Sequence, residues 1–358
     1  MQYARIVERE RAALHQHHHH HAAASDIGVE PGLRFAILFP PTGPVRELDW
    51  AGIEAWTPEH GFLWAHLERD DEVTKVWLTT KAGLDPLVAE TLQAEESRPR
   101  VEPVEDDLLM VLRGINHTIV EDHDETDLVA LHIWAEANRC ITLRDKGHTL
   151  TALRTLRAAI LAGKGPRKPG PLVARIAEKI VDHLGELTEQ IDERLCVFEE
   201  QLSEDGGDFD PRQEVNDMRR QIVQLRRYVA PQREALYRLR HEDVSWLCED
   251  TQARIREIED KLRGHMENLD EMRQRSALLH EEMSARVAEQ TNRNTLVMSV
   301  VSVIMLPMTF ITGYFGMNTS SLPFAGEGSI GGTWNATILI ILVGAITGFL
   351  TWLALRRR

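Results

Sequence analysis

Two long uncharged runs near the end of the sequence constrain the fold more than any other feature. They cover residues 295–315 and 334–355, and the first is 21 residues long. A helix of about 20 apolar residues is long enough to cross roughly 30 Å of hydrocarbon. Trp334 and Trp352 lie near the two ends of the second run, where a transmembrane helix commonly carries interfacial aromatic residues. We therefore predict two transmembrane helices.

Basic residues flank the two runs on one side only. Arg286 and Arg293 precede the first run, and the sequence ends in three arginines at 356–358. The connecting loop contains no Lys or Arg, and Glu327 is its one charged residue. Because cytoplasmic flanks are enriched in Lys and Arg, this pattern predicts that both termini are cytoplasmic and that the loop lies outside.

The rest of the chain has the composition of a soluble protein. Among 358 residues, 56 acidic side chains outnumber 41 basic ones, and the formal net charge is −15. This charge argues against nucleic acid as a partner and is compatible with cationic ligands, although solubility alone also accounts for it. The three cysteines, at 140, 196 and 248, form no CxxC pair, which favours a reducing compartment.

The soluble part begins with a tail and continues as a mixed domain. The tail contains a His run at 17–21, whose simplest interpretation is a disordered tail; whether the run is native or functional is left open. Beyond it, alternating apolar residues predict strands and longer periodic segments predict helices, which together indicate an α/β domain around a buried sheet. The predicted strands are 62–67, 108–115, 128–136 and 139–144, and the predicted helices are 85–95 and 149–163.

After Pro171 the pattern is helical throughout. A helical hairpin is followed by one long helix that begins near Thr251 and continues without a turn signal into the first apolar run. Its apolar positions form one seam with a coiled-coil-like spacing, and His265 on this seam is interpreted as a packed residue because no second ligand lies three or four positions away. The seam consists of Ile255, Ile258, Leu262, His265, Leu269, Met272, Ser276, Leu279 and Met283.

The predicted organisation therefore has a cytosolic part and a membrane part. Its segments are a tail over 1–33, an α/β domain over 34–170, a helical hairpin and stalk helix over 171–294, a first transmembrane helix over 295–316, an outer loop over 317–333, a second transmembrane helix over 334–355 and a basic end over 356–358.

A stripe of small and hydroxyl-bearing residues runs along the first predicted transmembrane helix. Five of its six spanning positions are small or hydroxylic, and such a stripe faces protein or water rather than lipid. It is explained either by close helix packing or by the wall of a pore, and a pore requires an oligomer because two helices cannot enclose one. The stripe consists of Thr295, Ser299, Ser302, Leu306, Thr309 and Gly313, with Asn292 one turn before it.

The membrane part offers only neutral oxygen ligands. Between residues 294 and 355 there is no His, Cys, Asp or Lys, and Glu327 lies in the loop. Hydroxyls, backbone carbonyls and the Asn318 amide suit a hydrated hard cation, whereas bare Zn²⁺ prefers nitrogen and sulfur. If protons drove transport, Glu327 or the cytosolic part would have to supply the titratable group.

The segment YFGMN at 314–318 resembles the signature of the CorA-type divalent metal ion transporter family, because it ends the first of two C-terminal runs after a long helix. The resemblance covers most of the chain from about residue 34. Segments 95–113 and 226–234 are similar to the ZntB zinc transporter branch. The loop at 318–323 is also similar to that branch, with Ser320 and Ser321 in place of two glycines.

The resemblance implies a funnel-shaped homopentamer in a bacterial inner (plasma) membrane, with no permanently bound cofactor. Asn318 would hold the hydrated ion at the outer entrance, Gly316 and Met317 would shape the turn, and the stripe would line the pore. Glu257 and Asp260 are candidates for cytosolic metal sites, although a solvated helix face explains them as well.

Three functions remain open at this point. The first is zinc uptake, with Mg, Co, Ni and Cd as further cargo, and the second is a magnesium or cobalt channel of the same architecture. The third is a membrane-anchored coiled-coil scaffold, which explains the seam but not the stripe or the loop motif. An enzyme is not expected, because no nucleophile–base pair or metal triad has usable spacing.

Overall fold

The computed structural model describes residues 30–95, 98–116, 128–203, 212–316 and 330–356. The chain divides into two compact units, Met1–Ser276 and Ala277–Arg358.

The first unit contains a mixed sheet, in the order β2-β1-β3-β7-β6-β5-β4. The β3–β7 pair is parallel and every other neighbouring pair of this sheet is antiparallel. The seven strands are β1 (Leu33–Phe39), β2 (Arg46–Leu48), β3 (Phe62–Glu68), β4 (Arg100–Val104), β5 (Asp107–Ile115), β6 (Leu128–Ala135) and β7 (Arg139–Arg144).

Helices cover both faces of this sheet. Three short helices pack on the face that carries Leu63, Ala65 and Leu67 and bury their apolar side chains in one core cluster with them. The other face includes Gly114, where an added Cβ would lie 2.9 Å from Leu150 and 3.5 Å from Ile180, so this glycine lets the covering helices approach closely. The helices are α1 (Trp50–Glu54), α2 (Glu72–Thr80) and α3 (Pro86–Gln93) on the first face, with α4 (Thr151–Leu161) and α5 (Pro169–Ser203) on the second.

Aspartates begin the three short helices. Asp49, Asp71 and Asp85 each accept a hydrogen bond from a backbone N–H of the first turn, at 2.8–2.9 Å. Such caps satisfy donors that have no partner inside the helix, which explains why these short segments are helical.

The predicted strands and helices of the α/β domain are confirmed, and the structure adds elements that the sequence did not reveal. These additional elements are β1, β2, β4, α1 and α2. The boundary of the tail was wrong by one residue, because Leu33 is a buried residue of β1. The chain just before it is also anchored, since the Trp50 backbone N–H donates to Glu30 and its indole N–H donates to the Pro31 carbonyl, both at 2.9 Å.

Three long helices follow in the first unit, and the third of them extends beyond it. They are α5, α6 (Arg212–His241) and α7 (Glu249–Phe315), and α7 is a single helix of 67 residues. The predicted seam is confirmed as the buried face of α7, and His265 is its one half-buried member. His265 packs against Gly185 of α5, where an added Cβ would lie 2.7 Å from the imidazole ring.

Ion pairs connect α7 to the two helices of the hairpin. Arg275 donates to Glu199 and Asp192 of α5 at 2.6 Å each. On α6, Arg240 pairs with the buried carboxylate of Glu259 at 3.1 Å. These pairs fix the register between helices whose apolar seams alone would allow some sliding.

The second unit contains the end of α7 and the helix α8 (Ile330–Arg356). The loop predicted over 317–333 was too long, because α8 begins at Ile330, before the apolar run starts. The first turn of a helix can form without apolar side chains. The start of the apolar run therefore did not mark the start of α8. The helix ends at Arg356, one residue beyond the predicted boundary, and α7 ends at Phe315 with Gly316 in a turn.

Candidate functional site

The stripe predicted on the first apolar run is exposed along its whole length in the single chain. All six spanning positions and Asn292 are exposed, and Leu306 has an exposed fraction of 74%. No residue of the described ranges covers this set of small and hydroxylic side chains, so it is available to another copy or to water.

A second face of α7 is partly covered, and it lies opposite the stripe. At about 100° per residue, the centre of the covered face and the centre of the stripe are separated by roughly 160–200°. The helix α8 contributes to the cover, because an added Cβ at Gly344 would lie 3.3 Å from the sulfur of Met308. The half-buried positions are Val300, Ile304, Pro307, Met308 and Ile311.

Three of the four hydroxyl groups of the stripe direct their protons into their own helix. Ser299 donates to the Thr295 carbonyl, Ser302 to that of Met298 and Thr309 to that of Met305, each at 2.8 Å. A hydroxyl has one proton and two lone pairs, so each of these groups keeps its acceptor capacity for an outside donor. The stripe is therefore a row of neutral acceptors, which suits the water shell of a cation better than an anion.

The residues of the loop motif are described only at their first position. Gly316 closes the end of α7, with its backbone N–H donating to the Thr312 carbonyl at 2.9 Å. Met317, Asn318 and Glu327 lie outside the described residues. Their roles at the outer entrance remain predictions.

The two candidate cytosolic metal ligands are exposed on α7. Asp260 pairs with Arg263 at 3.3 Å, and Glu257 points to solvent. Across the ranges that the structure describes, no group of three or more His, Cys, Asp or Glu side chains could hold a metal ion. Within one chain, these two carboxylates are therefore not brought together with a third ligand.

His265 is the one imidazole on the seam of α7. Partial burial lowers its pKa, and Lys261 acts in the same direction, while Glu189 and Asp182 oppose the shift. The lowered pKa favours a neutral ring at neutral pH, in keeping with its contact with Gly185. The interpretation of His265 as a packed residue is confirmed.

One helix of the described part, α7, contains a segment long and apolar enough to cross a membrane, and none of that segment is fully buried. Among the residues of α8 whose side chains the structure describes, the apolar stretch Thr337–Leu350 is shorter. The second transmembrane helix therefore stays a prediction.

Sequence reasoning missed two features of α8. Gly344 and Gly348 are both half-buried, and their four-residue spacing, typical of close helix contacts in membranes, could have indicated the packing on Met308. The second feature is a contact between Trp352 and Arg356, which are also four residues apart. Both four-residue spacings can be read from the sequence. The sequence does not show which side of α8 packs on α7 and which side stays exposed.

Comparison with known proteins agrees with this architecture. The family model described as CorA-like Mg2+ transporter protein matches residues 59–357. The chain is 32% identical over 297 residues to the divalent cation transporter CmaX of Pseudomonas aeruginosa, covering 83% of this chain and 87% of that protein. It is also 32% identical over 287 residues to the zinc transport protein ZntB of Pectobacterium carotovorum, covering 80% of this chain and 86% of that one.

A solved structure extends the similarity to the fold. The structure of full-length CmaX matches with a TM-score of 0.77 at 30% identity, covering 93% of this chain and 99% of that chain. The chain therefore belongs to the CorA-like family of transporter proteins. Its relatives include proteins named CmaX and ZntB, so the resemblance noted in the sequence is confirmed.

Proposed function

We propose that this chain carries divalent metal cations across a membrane through a pore formed by several copies of α7. In this proposal the assembly is a funnel-shaped homopentamer in a bacterial inner membrane, with both termini in the cytoplasm. The two C-terminal helices cross the bilayer, and Asn318 selects the hydrated ion at the outer entrance. The family membership of the chain supports the transport of divalent cations.

The observation that carries the proposal is the position of the stripe relative to α8. Helix α8 covers the side of α7 that carries Met308, and the stripe lies on the other side. If α8 occupies the outer layer of an assembly, the stripe faces the centre. Close packing of α7 against α8 within one chain, one form of the alternative explanation of the small residues, would place the stripe under α8; close packing between copies of α7 is the other form.

We propose zinc as the first candidate for the transported ion, and uptake as the direction of transport. The similarity to proteins named ZntB supports zinc. Because the membrane part contains no His or Cys, zinc would pass with most of its water shell, held by lone pairs of the stripe.

A magnesium or cobalt channel is the second candidate. It is favoured by the all-oxygen lining, since Mg²⁺ keeps several waters and prefers oxygen ligands. The description of the matching family as Mg2+ transporters agrees with it.

Flux measurements on the purified full-length protein in liposomes test both candidates. Zn²⁺ and Mg²⁺ entry are followed with enclosed fluorescent indicators, for the wild type and for Asn318→Ala. We expect Zn²⁺ entry in the wild type and its loss in the variant, with the oligomer retained in native mass spectrometry. Large Mg²⁺ flux without Zn²⁺ flux would select the second candidate.

The scaffold hypothesis makes the opposite prediction. A membrane-anchored scaffold gives no ion flux in liposomes of any composition, and Asn318→Ala then changes nothing measurable. A wild-type oligomer that is intact and correctly inserted yet passes neither ion would therefore refute transport.

A further inference from the structure

The side of α8 that faces away from α7 forms a continuous exposed face. The half-buried positions of this helix recur every three or four residues and include Gly344 and Thr347, which mark the side that packs on α7. The exposed positions follow the same spacing on the other side. Its central row consists of Ile338, Leu342, Ala345, Phe349, Trp352 and Arg356, and further exposed residues flank this row.

This face ends in an aromatic–arginine ladder, formed by Phe349, Trp352 and Arg356. The Phe349 and Trp352 rings stack with centroids 6.1 Å apart and an interplanar angle of 29°. The guanidinium carbon of Arg356 lies 5.1 Å from the centroid of the Trp352 ring. Phe349 and Trp352 are 59% and 51% exposed. The ladder is thus a preformed surface with an apolar base and a cationic tip.

The charge of the ladder is not neutralised by its own helix. The sequence contains no Asp or Glu after Glu327, and Arg357 and Arg358 follow Arg356 directly. Among the residues described with their contacts, Arg356 forms no ion pair, and its observed contact is with the Trp352 ring. A cation held on an aromatic face keeps its N–H donors free for an anion.

We infer that the aromatic–arginine ladder binds the headgroup of an anionic phospholipid in the cytoplasmic leaflet. The inference rests on the proposed membrane insertion of α8. Trp rings prefer the depth of the headgroups, and a guanidinium matches a phosphate with two parallel hydrogen bonds. Each basic residue just cytoplasmic of a transmembrane helix raises the affinity for anionic lipids by about fivefold.

A simpler role for Arg356 is to stabilise the C-terminus of α8 through the helix dipole. That role needs no lipid and gives no preference among headgroups. The two explanations therefore differ in lipid selectivity, which can be measured without measuring transport.

The test is lipid binding to the purified full-length protein, measured by native mass spectrometry during titration with phosphatidylglycerol or phosphatidylcholine. We expect the wild type to prefer phosphatidylglycerol. Arg356→Gln should reduce that preference about fivefold, and changing all three terminal arginines to Gln should reduce it about 100-fold. Trp352→Leu, which keeps the charge but removes the ring, should give a smaller loss. Inorganic phosphate at the same concentration should not compete.

A matched control removes three arginines of the first unit, outside the proposed site. Arg219, Arg220 and Arg227 are carried by α6, and changing all three to Gln should leave the lipid preference intact. Equal affinities of the wild type for both lipids, an equal loss in this control, or full competition by inorganic phosphate would each overturn the inference.

The outcome is separable from that of the transport proposal. A wild type that conducts cations but shows no headgroup preference overturns this inference alone. A wild type that prefers phosphatidylglycerol but conducts no ion in any vesicle supports this inference and overturns the transport proposal.

Discussion

Replacing Thr309 by Val should slow cation flux, whereas the same replacement at Thr312 should not. The two threonines are on the same helix, both are exposed, and both hydroxyls donate to their own backbone, at 2.8 and 3.0 Å. Thr309 belongs to the stripe, but Thr312 lies about 100° away from its centre. Val has nearly the shape of Thr, so each change removes one hydroxyl oxygen and little else.

The size of the effect follows from the hydrogen bonds that the lost oxygen can accept. The proton of Thr309 is committed to the Met305 carbonyl, so the hydroxyl acts on a passing ion only by accepting bonds from its water shell. One neutral hydrogen bond contributes about 0.5–1.5 kcal/mol. If two copies contact the water shell at once, the barrier rises by about 1–3 kcal/mol, which slows flux by about 5- to 150-fold.

The assay is initial-rate Zn²⁺ and Mg²⁺ entry into liposomes at matched protein content, with the oligomer checked by native mass spectrometry. Thr309→Ser, which restores the hydroxyl, should recover most of the rate. Equal rates for Thr309→Val and Thr312→Val, or a larger loss at Thr312, would refute the assignment of the stripe to the ion path.

Three further predictions concern the first unit. Glu259→Gln should lower the free energy of unfolding by about 2 kcal/mol, less than for a fully buried pair because Arg240 reaches solvent; thermal unfolding in detergent measures this. Gly185→Val should cost about 1–3 kcal/mol in the same assay, because the new side chain collides with the ring of His265. Burial, with smaller contributions from neighbouring carboxylates, raises the pKa of Asp107 to about 6, so its ionisation destabilises the fold as pH rises from about 4 to above 6. Asp107→Asn should therefore raise the melting temperature at pH 7.5 and leave it unchanged near pH 4.

Each of these changes has a matched control nearby. Glu257→Gln alters an exposed carboxylate two residues from Glu259 and should leave stability unchanged. Gly264→Val adds a side chain where nothing lies within 4 Å, and a loss as large as that at Gly185 would contradict the packing argument. Asp106→Asn should destabilise at neutral pH, the opposite sign to Asp107, because hydrogen bonds from Ser245 lower the pKa of Asp106.

Periodicity was sufficient to predict the helical part of the fold. The seam of α7 repeats over many turns, so its buried face could be assigned before any partner was known. The strand β4 was missed because it carries Pro103 and Glu102, which are tolerated at a sheet edge but weaken the strand pattern. The strand β1 was missed because it follows directly on a segment interpreted as a tail.

Contacts between distant segments could not be predicted. Nothing in the sequence pairs Arg275 with Glu199 rather than with another carboxylate, since many charges recur on the same helices. The stripe was found from spacing alone, but its position opposite Met308 and α8 depends on how two helices pack. The residues at the outer entrance that the motif singles out lie beyond Gly316, so their geometry stays a prediction.

The hydroxyls of Ser299, Ser302 and Thr309, whose protons are turned inward to the helix backbone, have a consequence for selectivity. A row of such groups offers spare lone pairs without a formal charge, so it prefers cations to anions by polarity alone. These groups do not titrate near neutral pH, and they carry no net charge for dissolved salt to screen. In the proposed pathway, discrimination by sign of charge should therefore persist across pH and ionic strength, even where the stability of the first unit changes.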